Sequence, residues 1–109
     1  MNGTEPLKGF QKRYLRAMSH SLKPLVFVGQ KGFSSALTDA MDAALDRHEL
    51  VKVKFVEFKK KDQKLALIGQ IEKAAACEMI GLIGHMATFY RRQPDPDKRH
   101  ITLPQKNGS

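Results

Sequence analysis

Residues 25–37 read LVFVGQKGFSSAL. Leu25, Val26, Phe27 and Val28 make a short apolar run with two β-branched members, which reads as a short buried strand. It stops at Gly29. Gln30 and Lys31 then sit between two glycines, and Ser34 or Ser35 supplies a hydroxyl that can accept a backbone N–H in the first turn of a following helix. In that helix Leu37, Ala40, Met41, Ala44 and Leu45 recur at the spacing of one buried face, while Asp39, Asp42 and Asp46 occupy the outer one. Strand, glycine turn and helix in direct succession place the chain in the α/β class. They also frame a chemical question, because a strand-to-helix turn leaves the free N–H groups of the helix's first turn and its dipole pointing outward. Such a turn suits an anion, phosphate above all, and Lys31 adds a full positive charge at its tip. The Gly-x-x-Gly spacing alone decides little among eight glycines, since Gly81 and Gly84 repeat it. There the middle residues are Leu82 and Ile83, and the reading is a strand with a turn glycine.

On the N-terminal side, residues 7–22 carry Phe10, Tyr14, Leu15, Met18 and Leu22 on one helical face and Lys8, Lys12 and Arg16 every four residues on another, with Arg13 beside them. Pro24 ends that helix by pushing its predecessor out of the helical region. On the C-terminal side, residues 50–58 alternate: Val51, Val53 and Phe55 point one way, Lys52 and Lys54 the other. Residues 59–64 read as a charged connection, with Asp62 as the cap of a third helix whose inner face holds Leu65, Ile68, Ile71 and Ala75. Residues 79–83 and 87–90 form a hairpin turning at Gly84 and His85, followed by Arg91 and Arg92. The tail carries Pro94, Pro96 and Pro104, lies over the surface and offers residues 101–103 as a short edge strand. The expected order is α-β-α-β-α-β-β, a two-layer α/β sandwich on a mixed four-stranded sheet. Residues 1–6 read as an N-terminal extension, 7–104 as one domain and 105–109 as a flexible tail.

Nineteen Lys and Arg stand against eleven Asp and Glu among 109 residues, a net charge of +8 that favours a polyanionic partner. Lys8, Lys12, Arg13 and Arg16, then Lys52 and Lys54, then Arg91 and Arg92, suggest a one-sided basic surface. The single cysteine, Cys77, excludes an internal disulfide and a thiolate metal cage. The four histidines are dispersed, with His20 and His48 near helix ends, His85 at a turn and His100 in the tail, so no metal set and no catalytic constellation is expected. No cofactor is implied. The opening MNGTEPLKGF lacks the apolar core of a signal peptide, and no apolar run approaches the ~18 residues needed to span a bilayer, which points to the cytoplasm and to no membrane partner. Tyr14, Phe27 and Tyr90 are the aromatics that could stack on bases, Tyr90 first, although packing is the ordinary role for each.

The runs LKGFQKRYLRAMSHSLKPLVFVGQKGFSSAL, DAALDRHELVKVKF and IGLIGHMATFYR resemble the CRM domain family (chloroplast RNA splicing and ribosome maturation), in its bacterial stand-alone YhbY form. RYLR, LKP, GQKG, HELVKVK and FYR occur in the family's order from Leu7 to Pro104. The resemblance implies a KH-like fold, similar to the C-terminal domain of a bacterial translation initiation factor, with its GxxG loop between the first strand and second helix. It also implies association with precursors of the large ribosomal subunit. The RNA-contacting loop then falls on Gly29, Gln30, Lys31 and Gly32, and the basic helix on Lys12, Arg13 and Arg16. Where related sequences open the first helix with Thr-Pro-Lys, this chain has Lys8, Gly9 and Phe10, which leaves the start of that helix open between the region of Thr4 and Pro6 and a frayed first turn. The expectation is a monomeric, non-catalytic RNA-binding protein of large-subunit assembly, contacting RNA through the loop, Lys8, Lys12, Arg13, Arg16, Lys52, Lys54 and Arg91. A DNA-binding module or a ribosome-associated protein-interaction module is the alternative, and the acidic second helix argues against insertion into a DNA groove. Gly32→Asp is expected to weaken RNA binding with the thermal midpoint held within a few degrees.

Overall fold

The Ser34 hydroxyl accepts the N–H of Leu37 at 3.1 Å, and the helix α2 (Ser35–His48) starts there, one turn-length after the strand β1 (Val26–Val28). A serine cap of this kind contributes about 1 kcal/mol and, more usefully here, decides where the turn ends. The computed structural model describes residues 6–105. Around the β1–α2 unit the chain adds α1 (Gly9–Ser19), β2 (Leu50–Phe55), α3 (Lys61–Ala75), β3 (Glu78–Ile83), β4 (Met86–Tyr90) and a short 3-10 turn at Pro96–Lys98. The sheet order is β1-β2-β4-β3, with β1 parallel to β2 and both other pairs antiparallel, so the expected mixed four-stranded α/β sheet is present.

Period-two alternation sorts the two faces. Val26 and Val28 of β1, Val51, Val53 and Phe55 of β2, and Ala87 and Phe89 of β4 pack with Leu37, Met41 and Leu45 of α2 and Leu67, Ile68, Ile71 and Ala75 of α3 in the main core. The opposite face has three rows. Leu50, Tyr90 and Glu78 pair across the first, and Leu15 of α1 packs there with Leu50, Ile80 and Tyr90. Lys52, Thr88 and Gly81 form the second, where the Arg16 side chain lies against Gly81. Phe27, Lys54, Met86 and Ile83 form the third, continuous over all four strands. Thus α1 lies on the face away from α2 and α3 and adds a partial third layer. A register irregularity between Met79 and Gly81 makes Ile80 the extra residue that reaches back under α1.

Several expectations change. Helix α1 starts at Gly9, not near Pro6, because Gln11 Oε1 accepts the Lys8 N–H at 2.9 Å and closes its first turn; Thr4 and most of the expected extension lie outside the described residues, as do the last four residues of the expected tail. The α1 face that reads as apolar is largely exposed at Tyr14 and Met18, and its buried residues are Gln11, Leu15 and Ser19. Helix α3 begins after Lys60 rather than at Asp62, and Leu65 is exposed while Lys64 and Leu67 turn inward. Ala40 of α2 is exposed as well. Residues 101–103 form no strand; Ile101 and Leu103 pack against the second core instead. The tail is held by Glu49, fully buried, whose carboxylate accepts the N–H groups of Gln93 (2.9 Å), His100 (2.7 Å) and Ile101 (3.0 Å).

Candidate functional site

Gly32 donates its N–H to the Gly29 carbonyl at 3.0 Å, closing residues 29–32 into a single turn at the end of β1. The N–H groups of Gln30 and Lys31, at its tip, have no acceptor among the described residues, and both side chains are exposed. Gly32 adopts φ +61, which an L side chain resists, and a Cβ there would lie 3.3 Å from Phe58 Cε2. Gly32 is therefore required by the backbone, whereas a Cβ on Gly29 would meet nothing within 4 Å. That corrects the expectation that Gly32→Asp spares stability: the turn would strain and Phe58 would have to move. The turn as a whole stands just before the α2 N-terminus, where backbone donors and the helix dipole favour negative charge.

A second loop is locked to the first. The N–H groups of Val56 and Glu57 both donate to the Val28 carbonyl, at 2.9 and 3.1 Å, and the ring of Phe58 lies under Gly32. Phe58 has φ 58, a costly conformation for a bulky residue, and the loop runs straight into the exposed lysines Lys59, Lys60 and Lys61. In the sequence this run reads as a plain charged connection; its three consecutive lysines are the signal, and only the fold supplies their spatial neighbour. The hairpin tip joins the same end of the sheet, since Phe55 donates to the His85 carbonyl at 2.8 Å. Lys64, buried under that tip, donates to the Gly84 carbonyl and approaches His85 Nδ1 at 3.3 Å. Desolvation, and then the positive charges of Lys64, Lys59 and Lys54, hold the His85 pKa below its ordinary value. Its neighbours make this end of the sheet a locus of positive charge, complementary to an anion.

The other basic residues named from sequence do not all converge. Lys54 is exposed in the third row, beside the loops, and Lys52 is half-buried one row below. Along the β3 edge Lys12 Nζ pairs with Glu78 Oε2 at 2.9 Å, and Arg16 Nη1 donates to the Ile80 carbonyl at 3.0 Å, each leaving part of its cation in solvent. Lys8 and Arg13 are exposed at the start of α1. The Lys12–Glu78 pair lies four β2 residues from the Lys54 row, about 13 Å away along the strands. The basic residues of α1 thus form a flank, not part of the turn.

Arg91 is removed from the contact set. Its Nη1 donates to Asp42 Oδ1 at 2.8 Å and to the Ala75 carbonyl at 2.6 Å, and its Nη2 to Asp46 Oδ1 at 2.9 Å and the Asp42 carbonyl at 3.1 Å. The acidic face of α2 captures it, so the residue ties α2 to the end of α3. Tyr90 is also withdrawn as a stacking candidate: it is 5% exposed against Leu15, and burial pushes its pKa up to about 12. Burial likewise pushes the Cys77 thiol up to about 12, which suits its place against the main core. Among the described residues no three His, Cys, Asp or Glu side chains could hold a metal ion, and no helix is long and apolar enough to cross a membrane.

A mixed α/β domain with a glycine turn, a lysine-rich loop and a basic helical flank defines the class of architecture. Residues 7–91 match the CRS1 / YhbY (CRM) domain, and the chain belongs to that family. It is similar to a probable RNA-binding protein of Pseudomonas aeruginosa, 32% identical over 88 residues, covering 81% of this chain and 84% of that one. An RNA-binding protein of Haemophilus influenzae is 31% identical over 96 residues, covering 88% and 93% respectively. The solution structure of a hypothetical protein of Staphylococcus aureus, thought to bind RNA, superposes with a TM-score of 0.77 at 31% identity, covering 91% of this chain and all of that one.

Proposed function

We propose that the protein is a non-catalytic RNA-binding protein that grips the sugar-phosphate backbone at the Gly29–Gly32 turn, in the manner of a KH-type GxxG loop, and that its RNA is ribosomal RNA of large-subunit precursors. The observation that carries this reading is the turn itself: the N–H groups of Gln30 and Lys31 have no acceptor among the described residues, and the turn stands just before the α2 N-terminus with the Lys31 side chain exposed. Lys59, Lys60 and Lys61 on the adjoining loop, Lys52 and Lys54 on the sheet, and Lys8, Lys12, Arg13 and Arg16 on α1 extend the footprint. The names of the relatives from Pseudomonas aeruginosa and Haemophilus influenzae support RNA as the partner. The ribosomal assignment rests on the family resemblance of the GQKG and HELVKVK motifs, and the protein acts as a monomer in the cytoplasm.

With about five phosphates neutralised, log affinity falls with log salt at a slope of roughly −3 to −5. A flat response in a filter-binding or anisotropy titration refutes phosphate gripping. Crosslinking in cells followed by sequencing of the attached RNA tests the substrate. Large-subunit precursor RNA supports the assembly role, messenger or intron RNA redirects it, and recovery of DNA overturns it.

A further inference from the structure

The third row of the sheet, Phe27–Lys54–Met86–Ile83, faces away from the main core and, among the described residues, lies beyond the reach of α1's Leu15 and Arg16. Phe27 is 54% exposed and Ile83 70%, Lys54 is exposed and Met86 half-buried. Leu25, bonded to β2 through the Lys52 carbonyl and two residues before Phe27, is exposed on the same side of the strand. A solvated sheet face ordinarily carries polar residues, so an aromatic ring, a thioether and an isoleucine displayed around a lysine call for an occupant. Phe27 is two residues from Gly29, about 7 Å along the strand, so a chain gripped at the turn passes over this row.

We propose that this row is a stacking platform for unpaired bases of the bound RNA. Phe27 takes the face of a base, Met86 and Ile83 continue the apolar floor, and Lys54 with Lys52 meets the phosphates that accompany those bases. The proposal rests on the RNA-binding reading and adds the form of RNA recognised: unpaired nucleotides, whose flat faces are free, as opposed to duplex, whose bases are already stacked on one another. Charge complementarity selects this occupant. A second copy of the chain, at a net charge of +8, would bring Lys52 and Lys54 against their own counterparts. The platform is also small, about 15 Å across the four strands and one or two rows deep, well short of the ~800 Å² per partner of a stable protein interface.

The test compares a single-stranded twelve-nucleotide oligoadenylate with an RNA duplex of the same length, by anisotropy. Phe27→Leu keeps apolar surface but removes the ring; it lowers affinity for the single strand roughly fivefold to hundredfold, leaves duplex binding within twofold and leaves the salt slope unchanged. Phe27→Trp retains single-strand affinity, and because the chain has no tryptophan its fluorescence reports the site directly, quenching saturably on addition of the oligonucleotide. Unchanged single-strand affinity in Phe27→Leu, or no quenching in Phe27→Trp, in a wild-type background that binds RNA with a steep salt slope, overturns the platform alone. Absence of RNA binding by the wild type overturns the RNA-binding reading and the platform together. Sedimentation showing a wild-type dimer that Phe27→Leu dissociates assigns the row to self-association and also overturns it.

Discussion

Gly29→Asp is the sharpest perturbation of the anion turn, because the position is free of both strain and crowding. A Cβ at Gly29 meets nothing within 4 Å, so the folded protein tolerates the side chain, with stability within about 0.5 kcal/mol of wild type. With the new carboxylate taken at ~6 Å from a phosphate on the Gln30 and Lys31 N–H groups, the two like charges repel. With an effective dielectric between ~40 and 80 for an exposed site, Coulomb's law gives about 0.7 to 1.4 kcal/mol of repulsion, or roughly 3- to 10-fold in affinity for one phosphate. The assay belongs at ~0.02 M salt, where the screening length is about 20 Å and the effect survives. Gly29→Asn, the same shape without the charge, isolates the electrostatic part and binds close to wild type. Gly32→Ala is the contrast: at φ +61 with Phe58 3.3 Å from the new Cβ, it costs about 1 to 2 kcal/mol and lowers Tm by roughly 5 to 15 °C before any RNA is added. If folded Gly29→Asp and Gly29→Asn both bind RNA as the wild type does, the turn is only a connection between strand and helix.

Glu49→Gln replaces a buried carboxylate that accepts three main-chain N–H groups by an amide that presents a donor to one of them, and the loss of about 2 to 4 kcal/mol lowers Tm by 10 °C or more; a shift under 3 °C refutes the anchoring role. Arg91→Ala frees two carbonyls and two carboxylates, and since the Asp46 partner is exposed the loss is about 1 to 2 kcal/mol, with RNA affinity unchanged within twofold. A larger affinity loss in a folded Arg91→Ala protein would return that residue to the interface. His85 titrates below its ordinary 6.5 in the free protein, so between its lowered value and 6.5 the unfolded chain binds more proton and stability falls as pH drops through that window. RNA phosphate nearby offsets the lysine charges and raises that pKa, and the imidazole proton shifts followed by NMR with and without RNA check it; no upward movement would place the phosphates elsewhere.

Local chemistry in the sequence was enough for the order of the elements, a serine cap at position 34 or 35, the inward Val51, Val53 and Phe55 of β2 and the hairpin turn at Gly84 and His85, because periodicity, capping and turn preference act over a few neighbouring residues. Which face each residue meets was decided by register and layer placement. β1 reads as wholly buried, yet Phe27 faces solvent, since α2 covers one side of the strand and α1 crosses the other side only at its far rows. Arg91, just after the hairpin, reads as a free surface cation and Tyr90, at the end of its second strand, leaves stacking and packing both open, until the fold brings Asp42, Asp46 and the Ala75 carbonyl to one and Leu15 to the other. Lys59–Lys61 gain their place beside the glycine turn only because β1 and β2 run parallel and end together, with Val28 accepting from Val56 and Glu57. Motifs made of adjacent residues were legible at once; pairings between residues far apart in the chain depend on which surfaces the folded chain presses together, and only the tertiary structure supplies them.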